Sequence, residues 1–250
     1  MRIRTAWVFL TTMLATVSAF TDAGQGDSAE MGSGMPVTEE IDLLEILSRH
    51  ALNSTNVTVW TRPQECMDLQ IGQYAALTLP THQAFGPRFA DEFSLLMQLR
   101  SSQPEERALL SVQSPHSHVL LQIRLSGHSF TFISTQQRLY EFPVRVLSDG
   151  RWHRVSVAVS AGSLALYVDC VLVEDVKWGY PGMDISTDSL LVVGGIIEDS
   201  EIPYEGDLRQ MTFLMGDPNA ARDHCTLHLP VCEHLGRPTP TAKTLHHLEV

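Results

Sequence analysis

Basic residues are scarce in this chain, and their scarcity argues against several classes of function. The 250 residues contain 17 Lys and Arg against 29 Asp and Glu, a formal net charge of −12. Nonspecific nucleic-acid binding needs a basic surface, and an anionic membrane attracts basic proteins in the same way. A site for a polyanion would therefore have to be a local basic patch on a protein whose overall electrostatic potential is negative.

The sequence also lacks the motifs of common catalytic sites. It contains no nucleophile elbow, no phosphate-binding loop and no His-Glu-x-x-His helix. No pair of acidic residues falls on one strand face, as a glycosidase built on a sandwich would need. Gly-x-y repeats are absent too, so any collagenous region lies outside these residues. The sequence therefore predicts a protein that is not an enzyme and has no cofactor.

Long apolar runs are confined to the amino terminus. Residues 1–4 are basic, residues 6–17 are mostly apolar, and Val17-Ser18-Ala19 places small residues at a cleavage position. We interpret residues 1–19 as a secretory signal peptide. No later run approaches the length of a membrane-spanning helix, so we expect a secreted, extracellular protein without membrane insertion.

Composition divides the rest of the chain into three parts. Gly, Asp and Ser are frequent in residues 20–36, which predicts a disordered lead-in. Residues 37–233 are sufficient for one domain with a substantial core. Residues 234–250, which contain Pro238 and Pro240, are interpreted as a linker or tail.

Apolar residues at near-helical spacing predict an amphipathic helix over residues 37–47. Ile41, Leu44 and Leu47 form the apolar stripe, and acidic residues lie between them. We expect this helix to pack on the domain, although a helix that binds a partner would have the same pattern.

From Leu69 onward, alternating apolar residues predict one strand after another. Turn residues separate these runs, and Pro143 marks an edge or a break in a strand. Asp217 before Pro218 favours a short helix that carries Cys225. Many short strands with turns between them indicate a mainly β protein, an antiparallel sandwich. The clearest runs are Phe93, Leu95, Met97, Leu99; Val119, Leu121, Ile123, Leu125; and Met211, Phe213, Met215.

The strongest local pattern is a turn followed by two strands. Asp149-Gly150 favours a tight type I′ turn. Alternating residues then predict a hairpin over residues 155–170, whose second strand ends at Cys170, with one face on the core. We expect Trp152 to fill the layer between two sheets, and His153 to be partly buried and hydrogen-bonded to the backbone.

Two blocks of sequence carry a family resemblance. The first is Asp149-Gly150-Arg151-Trp152-His153 with the later pair Asp169-Cys170. The second is Tyr204-Glu205-Gly206-Asp207-Leu208, followed by Cys225 and Cys232. Together they resemble the laminin G-like fold and, more narrowly, the thrombospondin N-terminal-like domain that opens several collagen α chains. The resemblance covers roughly residues 41–233.

This resemblance implies a fold and a function. The fold would be a laminin G/concanavalin-like jelly roll with a short N-terminal and a short C-terminal helix. The function would be that of a secreted extracellular-matrix module, the N-terminal noncollagenous domain of a collagen-like chain. Such a module would bind other extracellular-matrix proteins or modulate fibril assembly.

Four cysteines in an exported chain predict two disulfides, for which the sequence allows three connectivities. The resemblance implies Cys66–Cys232 and Cys170–Cys225. A compact zinc site is the alternative for part of this set. Its ligands would be Cys225, His228, Cys232 and His234.

The stretch after the predicted helix contains two glycosylation sequons. Asn53-Ser54-Thr55 and Asn56-Val57-Thr58 both match Asn-x-Ser/Thr in a polar stretch of an exported chain. We therefore predict N-linked glycans at Asn53 and Asn56, which would make the protein a glycoprotein. The acceptors are only three residues apart, so occupancy of both is the less favoured outcome.

Four arginines around the hairpin suggest an alternative function, a domain that binds heparan sulfate or another glycan. A patch of this kind occurs in some thrombospondin-like domains that the chain resembles. The residues are Arg138, Arg145, Arg151 and Arg154.

Metal binding has weak support in the sequence. Laminin G-like relatives often bind calcium at the rim of the sandwich, and several acidic loop residues could serve here. His116 and His118 could offer two ligands but have no carboxylate near them in sequence. No metal site is therefore predicted. The acidic candidates are Asp184, Asp188, Asp199 and Glu201.

Overall fold

A computed structural model describes residues 38–51, 56–61, 67–73, 75, 77–180, 182–195, 203–227 and 239–240. Strands predominate in this part of the chain and form two antiparallel sheets, so the predicted mainly β sandwich is confirmed. Several predictions concern residues outside these ranges. They are the signal peptide, the lead-in, the residues after 240, Asn53, Cys66, Asp199, Glu201, His228, Cys232 and His234.

The larger sheet has nine strands, which we number in chain order. In spatial order it contains β12 (Val171–Lys177), β11 (Ser163–Val168), β10 (His153–Val159), β5 (Phe93–Arg100), β14 (Gly206–Met215), β3 (Met67–Ile71), β2 (Val57–Thr61) and β15 (Thr239–Pro240). A further strand, β1 (Glu39–Asp42), also pairs with β14. Strand β12 was not predicted and forms one edge of this sheet.

The smaller sheet has six strands. Its order is β4 (Leu77–Pro80), β13 (Leu190–Val193), β6 (Arg107–Gln113), β7 (Val119–Leu125), β8 (Ser129–Ser134) and β9 (Arg138–Pro143). Pro143 ends the edge strand β9, as predicted, because proline cannot donate a ladder hydrogen bond. The short helices are α1 (Leu43–Ala51), α2 (Thr81–Phe85) and α3 (His224–Leu227).

The core lies between the two sheets. The face of β5 that carries Phe93, Leu95, Met97 and Leu99 is fully buried there, together with apolar residues of β6, β7 and β14. Aromatic rings fill one end, where Phe213 lies 5.4 Å from Phe93 in centroid distance. Each such side chain contributes roughly 1.5–3 kcal/mol on burial, so the apolar alternation that predicted the strands is also their main source of stability.

The amino-terminal helix begins later than predicted. Residues 39–42 form β1 because their backbone groups pair with Met215 to Thr212 of β14. The helix α1 then starts at Leu43, and the Asp42 carboxylate accepts hydrogen bonds from the backbone N–H groups of Leu44 and Glu45 at 2.9 and 3.2 Å. Asp42 is therefore the N-cap of α1. The apolar stripe does pack on the domain, since Leu44 and Leu47 are buried.

The outer face of the nine-stranded sheet, opposite the core, is partly covered. Residues 217–227, which we call the C-terminal cover, lie over β5 and β10 on this face. Leu96 and Leu214 of the sheet pack against Ala220 and Ala221 of the cover. Strand β5 is consequently buried on both faces, which explains why seven of its eight residues are buried.

Candidate binding site

His153 is held between two carboxylates. Its Nδ1 lies 2.8 Å from Asp169 Oδ2, and its Nε2 lies 3.0 Å from Asp149 Oδ1. The prediction that its hydrogen bonds go to the backbone is therefore wrong, because the turns on either side supply aspartates instead. The burial of His153 is as expected. No described nucleophile hydrogen-bonds the imidazole, so this arrangement fits a structural clamp between two turns and not a catalytic triad.

The clamp changes the titration of two of its members. Burial is the largest influence on His153 and lowers its pKa, but the hydrogen bonds with Asp169 and Asp149 outweigh it and raise the pKa above the ordinary value. The same hydrogen bond from His153 lowers the pKa of the Asp149 carboxyl. The protonated imidazole between two carboxylates is therefore the favoured state over much of the acidic pH range.

Asp169 and Cys170 form a two-residue turn between β11 and β12. Both have positive φ, 48° and 67°, which is the requirement of a type I′ turn. The predicted type I′ turn at Asp149-Gly150 is not formed, because only Gly150 has positive φ there. The tight turn therefore lies between β11 and β12, and not before β10, where it was predicted.

A disulfide joins this turn to the C-terminal cover. Cys170 is bonded to Cys225, with the Cα atoms 6.0 Å apart, which is the pairing that the family resemblance implied. Cys225 lies on α3, as expected. Because Cys225 is committed to this bond, it is unavailable for the alternative zinc site. A guanidinium nitrogen of Arg154 also lies 3.8 Å from Cys225 Sγ.

Hydroxyl groups complete the attachment of the cover. Ser94 Oγ donates to the carbonyl of Asp217 at 2.7 Å and accepts from the N–H of Ala221 at 2.9 Å. Ser156 Oγ donates to the carbonyl of Ala221 at 2.7 Å. Asp217 caps the turn that begins the cover, but the helix starts only at His224. Small polar residues on the outer face of β5 and β10 therefore provide anchoring points for backbone.

Trp152 lies on the outer face of the nine-stranded sheet, and the prediction that it fills the layer between the sheets is wrong. The guanidinium carbons of Arg209 and Arg100 lie 3.9 and 5.0 Å from its ring centre. Both arginines project from the outer face and are paired with acids, Arg209 with Asp68 and Arg100 with Asp207. Cation–π attraction to these side chains holds the indole outside the core.

Next to Trp152 the outer face opens into a polar groove of about 640 Å³. Its floor is a row across three strands, Thr58 of β2, Gln70 of β3 and Asp207 of β14, and its walls come from the adjacent loops. Most of the lining side chains are amides, hydroxyls or acids. The complete lining is Asn56, Thr58, Gln70, Ile71, Gly72, Gln73, Arg100, Ser101, Ser102, Gln103, Gly150, Glu205, Gly206 and Asp207.

Hydrogen bonds fix the wall of the polar groove. Ser101 Oγ donates to the carbonyl of Glu205 at 2.9 Å, and Gln103 Oε1 accepts from the N–H of Glu205 at 2.7 Å. A Cβ at Gly206 would lie 2.4 Å from the carbonyl oxygen of Arg100, so only glycine fits. Glu205 and Gly206 of the Tyr204–Leu208 block therefore form part of the wall of this groove, a role that the sequence did not indicate.

The four predicted glycan-binding arginines do not form one patch. Arg138 begins β9 and donates to the carbonyl of Gly179 at 2.9 Å, whereas Arg145 lies beyond the other end of the same strand. Five strand residues separate two points by about 17 Å. Arg151 is exposed beside Asp149, and Arg154 is directed at the cover.

The described metal candidates are also dispersed. His116 and His118 lie in the exposed turn between β6 and β7, and Asp184 and Asp188 lie in the loop before β13. Within the described ranges, no group of three or more His, Cys, Asp or Glu side chains is placed to hold a metal ion. Calcium binding at the rim, the alternative to the prediction of no metal site, is untested.

The edge strands expose apolar side chains. Val171 and Leu172 at the start of β12 are 67% and 49% exposed, and Leu139 on β9 is 57% exposed. Among the described strands β12 pairs with β11 alone, so one row of its backbone groups has no partner in the described sheet. Val171 is the most exposed of the large apolar side chains in the described part of the chain.

Comparison with known proteins supplies a family and a relative. Residues 88–214, just over half of the chain, match the Laminin G domain family. The chain is 30% identical over 128 residues to the protein kinase C-binding protein NELL2 of Xenopus laevis, which covers 44% of this chain. The chain spans about 15% of the length of that relative.

Solved structures share the sandwich at low identity. The sialidase carbohydrate-binding module of Ruminococcus gnavus, bound to sialyllactose, has a TM-score of 0.51 and 10% identity, over 62% of this chain and 94% of that one. Domain 4 of the arabinanase AbnA from Geobacillus stearothermophilus, with arabinotriose, has a TM-score of 0.50 and 11% identity, over 74% and 86%. At these identities the likeness concerns the fold alone. No helix in the described ranges is long and apolar enough to span a membrane.

Proposed function

Because the chain belongs to the laminin G domain family, whose members are typically extracellular and involved in binding, we propose that it is a secreted, non-enzymatic binding module of the extracellular matrix. More narrowly, it is the N-terminal noncollagenous domain of a collagen-like chain and mediates matrix-protein binding or fibril assembly. The two sequence blocks that resemble collagen-type domains support the narrower proposal.

The exposed edge of the nine-stranded sheet carries this proposal. Val171 and Leu172 are apolar, exposed and adjacent to unpaired backbone groups of β12. An extended segment of a partner protein can add to such an edge, with backbone hydrogen bonds for affinity and apolar contacts for specificity. The second half of β12 contains Glu174, Asp175 and Lys177, which protect it from nonspecific pairing. The open part of the edge is therefore short and directed at a specific partner.

Binding to purified, immobilised matrix proteins tests the proposal. We expect saturable binding of the secreted protein to at least one of fibrillar collagen, fibronectin and laminin. Val171→Lys should weaken this binding about tenfold or more, since it places a charge in an apolar contact. Val146→Lys is the matched control, because Val146 is 41% exposed and lies outside the edge strands. Binding to none of the three proteins, or equal loss with both variants, would contradict the proposal.

Binding to heparan sulfate is the alternative function. Its support in the structure is limited, because the four arginines lie apart and the net charge is −12. We expect the protein to elute from a heparin column below physiological salt. Retention above physiological salt that is lost with Arg138→Ala and Arg145→Ala would favour the alternative.

A further inference from the structure

The polar groove contains several side chains able to bind a hydroxyl-rich ligand. Its lining offers the side-chain amides of Gln70 and Gln73, the amide nitrogen of Gln103 and the hydroxyl of the exposed Ser102. Amides donate and accept hydrogen bonds at once, as the alternating hydroxyl groups of a sugar require. The volume of about 640 Å³ lies within the range of roughly 300–1,000 Å³ typical of small-ligand sites.

The charges in the groove favour a neutral ligand. Arg100 is the cation among the lining residues, and its guanidinium is already paired with Asp207 at 2.6 Å. Glu205 adds a second acid. A sulfated or carboxylated saccharide would therefore meet more negative than positive charge here, whereas a neutral saccharide would meet hydrogen-bonding groups without repulsion.

A glycosylation acceptor lies on the rim of the same groove. Asn56, the acceptor of the sequon Asn56-Val57-Thr58, lines the groove and is exposed. Its carbonyl accepts from the N–H of Gly72 at 2.8 Å, and its Nδ2 donates to the carbonyl of Gln73 at 3.0 Å. A glycosylated amide keeps one N–H, so this hydrogen bond can persist with a sugar attached. The backbone and side chain of Asn56 are thus fixed at the entrance.

Attachment at the rim makes even a weak saccharide site effective. A ligand tethered by a short flexible link has an effective concentration in the millimolar range, far above that of a free saccharide. We propose that the polar groove holds the first, neutral sugars of an N-linked glycan carried by Asn56. The inference rests on the proposed secretion of the chain, because N-linked glycans are added in the secretory pathway.

Enzymatic release of the glycan from the folded protein tests this inference. The protein is produced by a secreting eukaryotic cell as Asn53→Gln, so that Asn56 is the remaining acceptor of the pair. We expect peptide N-glycosidase to release the Asn56 glycan about tenfold more slowly from the native than from the denatured protein. This ratio corresponds to a glycan that is outside the groove, and so accessible to the glycosidase, about a tenth of the time. Peptide mass mapping confirms occupancy.

Peptide N-glycosidase could act slowly on any folded protein, whether or not the groove shields the glycan. A variant that fills the groove distinguishes these two causes. Ser102 is exposed on the groove wall, and Ser102→Trp should occupy the space of the sugars and restore release to nearly the denatured rate. His116→Trp, in the exposed turn between β6 and β7, is the control and should leave release slow. Equal rates in native and denatured protein, or no effect of Ser102→Trp, would overturn the inference.

Thermal unfolding provides a second, independent readout. Thr58→Val removes the sequon but retains side-chain shape, so it should lower the melting temperature by a few degrees if the sugars contact the groove. In the Ser102→Trp background, Thr58→Val should hardly change the melting temperature, because the tryptophan already excludes the sugars from the groove. The two changes are then coupled and their effects are not additive. An unoccupied Asn56 in secreted protein would refute this inference while leaving matrix binding open, whereas retention of the chain inside the cell would refute both.

Discussion

The two halves of the outer face of the nine-stranded sheet are stabilised in different ways. One half is closed by the C-terminal cover, which is attached by the Cys170–Cys225 disulfide and by the hydroxyls of Ser94 and Ser156. Among the residues that the structure describes, no such cover lies on the other half, which consists of Trp152 with Arg100 and Arg209 and of the polar groove. Its stability comes from paired charges and cation–π contacts.

The difference shows how one sheet face provides both a structural and a binding surface. Small residues and hydroxyls, such as Ala220 and Ser94, permit a segment of backbone to lie flat on the sheet. Long charged side chains, such as Arg100 and Arg209, are held by Trp152 and by their paired acids, and the groove lies beside them between strands and loops. These contacts preorganise the groove half, which is a property that favours binding.

Loss of the disulfide should have the largest effect on the covered half. Replacing both Cys170 and Cys225 by Ser should lower the free energy of unfolding by about 4 kcal/mol, since the bond spans 55 residues. Urea denaturation measures the change. Hydrogen exchange should accelerate in residues 217–227 and not in the polar groove. Unchanged exchange in the cover would show that the serine anchors suffice without the bond.

Breaking the buried ion pair should have the next largest effect, in the open half. Arg209 donates two hydrogen bonds to Asp68, at 2.9 and 3.3 Å, and both side chains are over 90% buried. Arg209→Met should destabilise the fold by about 3 kcal/mol, because it removes these bonds from a buried carboxylate. Arg49→Met is the control, since Arg49 forms an exposed pair with Glu45 worth at most about 0.5 kcal/mol. Equal effects would contradict the comparison.

Removing one serine anchor should have an intermediate effect. Ser94→Ala leaves the carbonyl of Asp217 and the N–H of Ala221 without their hydroxyl partner, at a cost of about 2 kcal/mol in unfolding free energy. Ser102→Ala, at an exposed position, should change stability by less than about 0.5 kcal/mol. Both are measured by urea denaturation, and the order of the two values is the critical result.

The smallest expected effect is a pH dependence at the junction of the two halves. The pKa of His153 is raised in the folded state, so the clamp contributes stability that is fully present below the unfolded value of about 6.5 and is lost as pH rises through the folded pKa. The melting temperature of the wild type should therefore fall more between pH 6 and pH 8 than that of His153→Gln. Parallel pH profiles would show that the clamp is not coupled to folding.

Sequence patterns predicted the inner face of the sandwich better than its outer face. Burial against the core requires an apolar residue at every second position of β5, β7 and β14. This alternation can be recognised in the sequence because it is contained within each strand. Strand β12 was missed because an exposed edge strand has no buried face to impose alternation. The amino-terminal helix was predicted to begin too early because Glu39–Asp42 pairs with residues of β14 that are 170 to 176 positions away in sequence.

The candidate sites illustrate the same limit. The sequence correctly indicated that Cys225 lies on a short helix, and the family resemblance supplied its partner Cys170. It did not indicate that Trp152 leaves the core for two arginines, since Arg100 and Arg209 are distant in the chain. The four arginines near the hairpin are close in sequence, yet β9 and β10 belong to different sheets and separate them.

By itself the sequence determined the mainly β class, the apolar core and the residues available for disulfides and glycans, because these depend on local periodicity and residue chemistry. Only the tertiary structure decided that the C-terminal segment covers half of one sheet face, that His153 joins two turns, and that Asn56 borders a polar groove. The physical reason is that each of these contacts joins strands or loops remote in the chain. The pairing of these strands and loops is set by the packing of the whole sandwich, and no single segment of the chain determines it.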